Sequence, residues 1–183
     1  LQDNPALAAA RARGGPVVPV FVWDEAGEGG WAPGAAARWW LHNSLTRLDE
    51  SLRARGSRLV LARGRAEEVI GRLRHATGAD AVFWNRRYEP ARVDRDQKIE
   101  SALTAAGVEA RRFNAALLFE PPTVRNKAGG PFQVFTPFWR HCQTLTVEAP
   151  GKLPAGVWPA PKRWPASLAL GQLGMWSGRD WAD

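Results

Sequence analysis

The chain is short of the residues that most often carry chemistry. It holds one cysteine (Cys142), one methionine, one tyrosine (Tyr88) and three histidines. A lone cysteine excludes an internal disulfide framework and suits a reducing compartment, so a cytoplasmic location is expected. His42, His75 and His141 have no metal-ligand spacing with one another, with Cys142 or with nearby carboxylates, so no metal site is expected. His141 and Cys142 adjoin on a helix and point about 100° apart, which is not the convergence a Cys-His pair needs. No apolar run approaches the roughly 20 residues that cross a bilayer, and no basic-then-apolar leader opens the chain. No membrane partner is expected. No constellation for acid–base or nucleophilic catalysis is visible, and no catalytic residue is assigned.

Negative charge is also in deficit. Lys+Arg outnumber Asp+Glu by 25 to 18, a net +7, and nearly all of the surplus is arginine. That balance permits a polyanionic partner such as DNA, although the arginines are scattered through helices as on any basic surface. Tryptophan is abundant instead, at ten residues in 183. Trp158, Trp164, Trp176 and Trp181 crowd into the last segment.

The middle of the chain alternates strands and helices. Asn4-Pro5 is a helix start, with Ala6 to Arg13 helical and Gly14-Gly15 a stop. Val17 to Trp23 is apolar and β-branched throughout, as in a strand covered on both faces. Leu41, Leu45, Leu48 and Leu52 recur at helical spacing. Strands are predicted over Ser57–Arg63, Asp80–Asn85 and Val108–Phe113, with helices over Ala66–Ala76 and Arg92–Ala106. The alternation implies an α/β fold, a Rossmann-like, doubly wound parallel sheet. In such a fold a helix returns from a strand, so a strand ahead of the first helix is expected. After a long loop, one more helix is predicted from about Pro137 to Val147. From Pro150 onward the chain is rich in Pro, Gly and Trp without periodicity, as in an extended linker.

Three stretches are candidate sites. Gly27 to Gly34 follows a strand and precedes a helix, where phosphate loops sit, but its glycines lack G-x-G-x-x-G spacing and no G-K-[ST] follows. A flexible connector is the expected role. Trp84 to Pro90 leaves the third strand at the same sheet edge. There Arg86, Arg87 and Glu89 can orient a ligand through charge-assisted hydrogen bonds, with Tyr88 as an aromatic wall, or can simply form a salt-bridged turn. Asp94 and Asp96 are expected in a first helical turn, where negative charge favours the dipole. Phe132, Phe135, Phe138 and Trp139, beside Arg140, are expected to pack at a hinge where the last helix docks on a neighbouring domain.

The pieces "LQDNPAL", "PVFVWD", "GSRLVLARG", "VFWNRRYEP", "NAALLFEP" and "GGPFQVFTPFW" resemble, in order and spacing, the N-terminal α/β domain of the DNA photolyase/cryptochrome family. The resemblance runs from Leu1 to about Leu145 and implies a photolyase-type domain over 1–148 and an interdomain linker over 149–183. It implies about five strands, the first lying ahead of Leu1 and central in the sheet. It further implies light-driven repair of pyrimidine dimers in DNA by FAD held in a helical C-terminal domain absent from this sequence. The present chain would then be scaffold, inactive by itself, with its final helix and Trp-rich tail docked on that domain. A blue-light-sensing cryptochrome is the near alternative, and a stand-alone nucleotide-binding module a more distant one. Many members carry a second, light-harvesting pigment in this domain. The folate-binding pattern resembles Tyr-Glu-Val-Asn-Glu, but Tyr88-Glu89-Pro90-Ala91-Arg92 lacks its Asn-Glu pair. The resemblance therefore favours a deazaflavin or other flavin over folate as antenna chromophore, or an empty site. By position, Arg38 and Leu41, next to the Gly-rich loop, and Arg86, Arg87 and Glu89 would hold it.

Overall fold

The computed structural model describes residues 1–152 and 155–176, so Trp181 lies outside the described residues. The chain first forms α1 (Pro5–Ala12). Asn4 accepts from the Leu7 amide at 3.0 Å, and Pro5, with no amide hydrogen to lose, opens the helix. Then follow β1 (Val20–Trp23), α2 (Ala35–Arg53), β2 (Val60–Arg63), α3 (Ala66–Thr77), β3 (Ala81–Asn85), α4 (Pro90–Ala105) and β4 (Glu109–Phe113). The alternation predicted above is present, with shorter strands. β1 begins three residues late because Pro16 and Pro19 carry no amide hydrogen. Pro19 serves only as an acceptor, for the Val60 amide at 2.8 Å.

The strands pair in parallel: Val20–Trp23 with Val60–Arg63, and Ala81–Asn85 with Glu109–Phe113. Among the described residues these are two separate two-stranded sheets, and no ladder joins β1 to β3. The single doubly wound sheet of the sequence reading is thus present as two halves. Helices hold them in common layers. α1 runs antiparallel to β3: at one end the Asn85 carboxamide accepts from the Ala6 amide and donates to Asn4, at 3.2 and 3.0 Å. At the other end Arg13 reaches Asp80 and Glu109, where β3 and β4 begin.

Residues alternate between two cores as strand geometry requires. On one face Trp23, Leu59 and Leu61 pack with Leu45 and Leu52 of α2 and with Trp158, Leu173 and Met175 from the tail. On the other, Val22, Val82, Trp84 and Ala110 pack with Ala66, Ile99, Leu103 and Val108. Asp96 is in the second turn of α4, because that helix starts at Pro90 rather than Arg92. It is 2% exposed and accepts from the Trp84 indole at 3.0 Å and from Arg95 at 2.8 Å. Its role is therefore a buried polar tie between α4 and β3, where the sequence suggested a charge beside the helix dipole.

Beyond β4 the last helix, α5, spans Phe135–Cys142 rather than Pro137–Val147. Pro137 falls within its first turn, where a missing amide costs little, so the helix starts ahead of it. It ends where Thr144 and Leu145 fold back onto the carbonyls of His141 and Cys142, ahead of the β-branched Thr146 and Val147. The tail then lies along β2. Leu168 donates to the Leu61 carbonyl at 2.9 Å, the Leu61 amide donates to Ser167 Oγ at 2.9 Å, and the Trp158 amide donates to the Arg55 carbonyl.

Candidate functional site

The carboxyl ends of the strands gather the polar side chains. Asp24, just past β1, is 6% exposed and accepts from the Gly27 and Ala66 amides, both at 2.9 Å. It turns the chain after β1 and caps α3, whose own cap position, Arg65, offers no side-chain bond. A β-carbon on Gly27 would lie 2.6 Å from Asp24 Oδ2, so only glycine lets this turn close. The 3-10 stretch Ala26–Trp31 that follows is also tied to α4, since Glu28 pairs with Arg92. The Gly-rich segment is therefore braced from two sides, which corrects its reading as a flexible connector.

Two ionic groups extend from this brace. On the β2 side Glu25 takes Arg63 at 2.7 Å and Arg38 at 3.3 Å. Arg38 also donates from Nε to the Pro33 carbonyl at 2.8 Å, and its guanidinium lies 5.6 Å from the centre of the Trp23 ring. On the β3 side Arg92 bridges Glu28 and Glu89, and Glu89 takes Arg87 at 2.6 Å. The Glu89 carboxyl is held down to about 2, first by the hydrogen bonds from Arg87 and then by a backbone amide, against the raising effect of burial. The same contact with Glu89 raises Arg87. Arg86 turns away to Glu120, which also accepts from the Tyr88 hydroxyl at 2.6 Å. That hydroxyl lowers the Glu120 carboxyl, with Arg86 adding to the effect. Burial pushes the Tyr88 phenol up, and the bond to Glu120 pushes it further.

Arg86, Arg87 and Glu89 are thus each engaged within the protein, and so is Arg38, which in addition borders an open space. Pro33, Gly34, Ala35 and Arg38 form one wall of a groove of about 310 Å³, and Gly174, Met175 and Trp176 the other. Gly34 gives α2 no side-chain cap, so its first amides face this region without a protein side chain on them. Gly174 has φ +69°, and a β-carbon there would lie 3.3 Å from Arg63, so glycine fits the turn that brings Met175 and Trp176 over α2. Leu41 packs instead against the core shared by α2 and β2. The sequence reading had no means of finding Gly174, Met175 and Trp176, since a tail without periodicity gives no signal of where it returns. Asp24 could have been found, because an acidic residue after a buried strand and before glycines is a turn signature.

The groove's chemistry follows from its parts: a guanidinium, uncapped helix amides and an indole face suit a planar ligand with an anionic group. Among the described residues no cluster of His, Cys, Asp or Glu could hold a metal ion, and no helix is long and apolar enough to cross a membrane.

Comparison with known proteins gives a consistent picture. The family model for DNA photolyase matches residues 1–157. A deoxyribodipyrimidine photo-lyase of Agrobacterium fabrum is 42% identical over 185 residues, covering 100% of this chain and 38% of the relative. The chain therefore spans well under half the length of that protein. A bacterial class III photolyase from Agrobacterium tumefaciens superposes with a TM-score of 0.87 at 42% identity, over 96% of this chain and 36% of that one. An archaeal photolyase from Sulfolobus tokodaii, solved with two FAD molecules and a novel light-harvesting cofactor implied, gives 0.77 at 28% identity, over 94% and 38%.

Proposed function

This chain belongs to the DNA photolyase/cryptochrome family as its N-terminal photolyase-homology domain, and on that premise we propose that it is the antenna side of a light-driven deoxyribodipyrimidine photo-lyase. The observation that carries this reading is 42% identity, along the whole chain, to a protein of that activity. The dimer-splitting chemistry and its FAD belong to a helical region absent from this sequence, and UV-damaged DNA binds there. This chain contributes scaffold and a second chromophore site.

The groove bordered by Arg38 and Trp176 is the site we assign to that chromophore. A bound antenna pigment absorbs light and passes the excitation on. Arg38 and the α2 amides would hold an anionic group, and Trp176 would face the ring. The fit favours a flavin or deazaflavin. Folate in the Tyr-Glu-Val-Asn-Glu mode fits poorly, because Pro90 opens α4 and Glu89 is committed to Arg87 and Arg92. Arg86, Arg87 and Glu89 then act one step removed, keeping the rim of the strands rigid.

We propose two further assignments. The β1 and β3 edges left without a ladder are the berth of a fifth, central parallel strand. Buried strand edges without partners would cost about 1–3 kcal/mol per orphaned group, and α1 already lies antiparallel to β3 as a crossover helix does. The exposed aromatics of α5 (Phe135 at 71%, Trp139 at 51%, Phe138 at 37%) are where the catalytic region docks.

The test is a longer protein carrying this chain with its downstream region. It should bind FAD and a second chromophore, and repair a UV-irradiated oligonucleotide in blue light. R38A should lose the second chromophore's absorption while keeping FAD. Photoreduction of the flavin without repair would convert the reading to a cryptochrome, and FAD as the sole chromophore would remove the antenna site.

A further inference from the structure

Another feature of α2 has no part in the groove at its start. Along its solvent side Trp40, Ser44, Arg47 and Ser51 succeed one another at spacings of four, three and four, and Arg55 follows in the turn after the helix. At 100° and 1.5 Å per residue the four helical members occupy about 60° of arc and run about 16 Å. Trp40 is 69% exposed, which is unusual for the largest apolar side chain, and the Arg47 side chain is 83% exposed. Leu1, Ser44, Arg47, Leu48, Ser51 and Arg55 line a groove of about 380 Å³ beside this stripe.

We propose that this stripe binds single-stranded nucleic acid, with an unpaired base stacked on Trp40 and phosphates on Arg47 and Arg55. An exposed indole in line with cations and hydroxyls is the pairing that unstacked bases and their backbone use. A protein partner fits less well, since hydroxyl and guanidinium groups outnumber apolar ones along the stripe, although the Trp39 ring lies 6.5 Å from that of Trp40. The Ser44 hydroxyl adds a phosphate donor, whereas Ser51 gives its hydrogen to the Arg47 carbonyl at 2.8 Å. Of the acidic groups nearby, Asp49 is occupied by Arg53 at 2.6 Å and the Leu59 amide at 2.8 Å. Arg55 spends one donor on the Ser51 carbonyl at 2.9 Å and keeps the others. Glu50 alone competes, since it pairs with Arg47 at 3.0 Å. The net charge of +7 favours approach of a polyanion. The inference stands apart from the antenna and repair assignments and is tested without them.

The experiment is fluorescence anisotropy of a labelled, undamaged 12-nucleotide oligo-dT against the longer protein that carries this chain, in the dark and across a salt series, with circular dichroism melts for every variant. W40A should weaken binding about tenfold. R47E/R55E should weaken it further and reduce the slope of log affinity against log salt by about 1.4, two phosphates at about 0.7 each. E50Q should tighten binding, a gain that misfolding cannot imitate. The same reversal on α3, R72E/R74E, should change affinity less than about twofold. Equal loss from the α2 and α3 reversals, an unchanged W40A, tighter binding of the matching duplex, or a self-association that W40A abolishes would each overturn the proposal.

Discussion

The β1–β2 pair and the β3–β4 pair are alike in length and parallel hand, yet they draw their cores from very different distances along the chain. Beneath β1 and β2, Leu45, Leu52, Leu59 and Leu61 depend on Trp158, Leu173 and Met175, about a hundred residues away. The β3–β4 core takes Ala66, Ile99, Leu103 and Val108 with its own strands, and Val22 of β1 and the helix α1 reach it from the start of the chain. It is smaller, and polar ties supplement it: Asp96 to the Trp84 indole, and Arg111 lying 5.0 Å from the Phe113 ring centre and 5.7 Å from that of Phe83. Local contacts close short loops, whereas long-range ones carry a larger entropic cost that only large apolar burial offsets. The first half is therefore the part of the molecule that the tail completes, and the second is the part that α1 and Val22 of β1 complete.

Substitutions can break that contrast. Trp158 is 2% exposed at the heart of the tail-dependent core, and W158A should cost about 3–5 kcal/mol in urea unfolding. Hydrogen exchange should accelerate in β1 and β2 first. L103A, in the smaller core, should cost about 2–3 kcal/mol and loosen β3, β4 and α4 instead. If L103A is the costlier variant, or if W158A opens both halves together, the distinction fails. W84F keeps the ring's bulk but removes Asp96's indole donor. It should cost about 1–3 kcal/mol, sensed mainly in the β3–β4 half. S167A removes one hydrogen bond to the Leu61 amide and should cost about 1 kcal/mol, sensed in β2.

The smallest effect sharpens the electrostatic side of the comparison. Glu89 titrates at about 2 in the folded chain against an ordinary 4.5, so its contribution is complete above about pH 4.5 and is lost as pH falls toward 2. E89Q should therefore melt slightly lower than the native chain at pH 7, with the gap closing toward pH 2. A gap that is constant with pH would show that the Arg87 and Arg92 pairs do nothing for the β3 rim.

The alternation of elements was legible because each carries its own signal: Asn4-Pro5, the apolar run Val17–Trp23, the leucines of α2. Helix ends were less so. Pro137 looked like a start and proved to be inside the first turn of α5, and Pro90 rather than Arg92 begins α4. Sheet continuity was not legible, since pairing is a property of two segments at once. For the site, Arg86, Arg87 and Glu89 stood out as a charged cluster beside a strand, and their engagement with Glu120, Arg92 and one another was the salt-bridged alternative the sequence already allowed. Met175 and Trp176, which complete the groove beside Arg38, come from the tail and announce nothing locally.

The bonds between Leu61 and residues 167–168 carry one last consequence. β2 would otherwise present a bare strand margin, the kind of surface on which foreign strands add and fibrils grow. The tryptophan-rich tail occupies that margin as a shield. A proteolytic nick ahead of Arg163 would do more than shorten the molecule, because it would free a template for cross-β polymerisation.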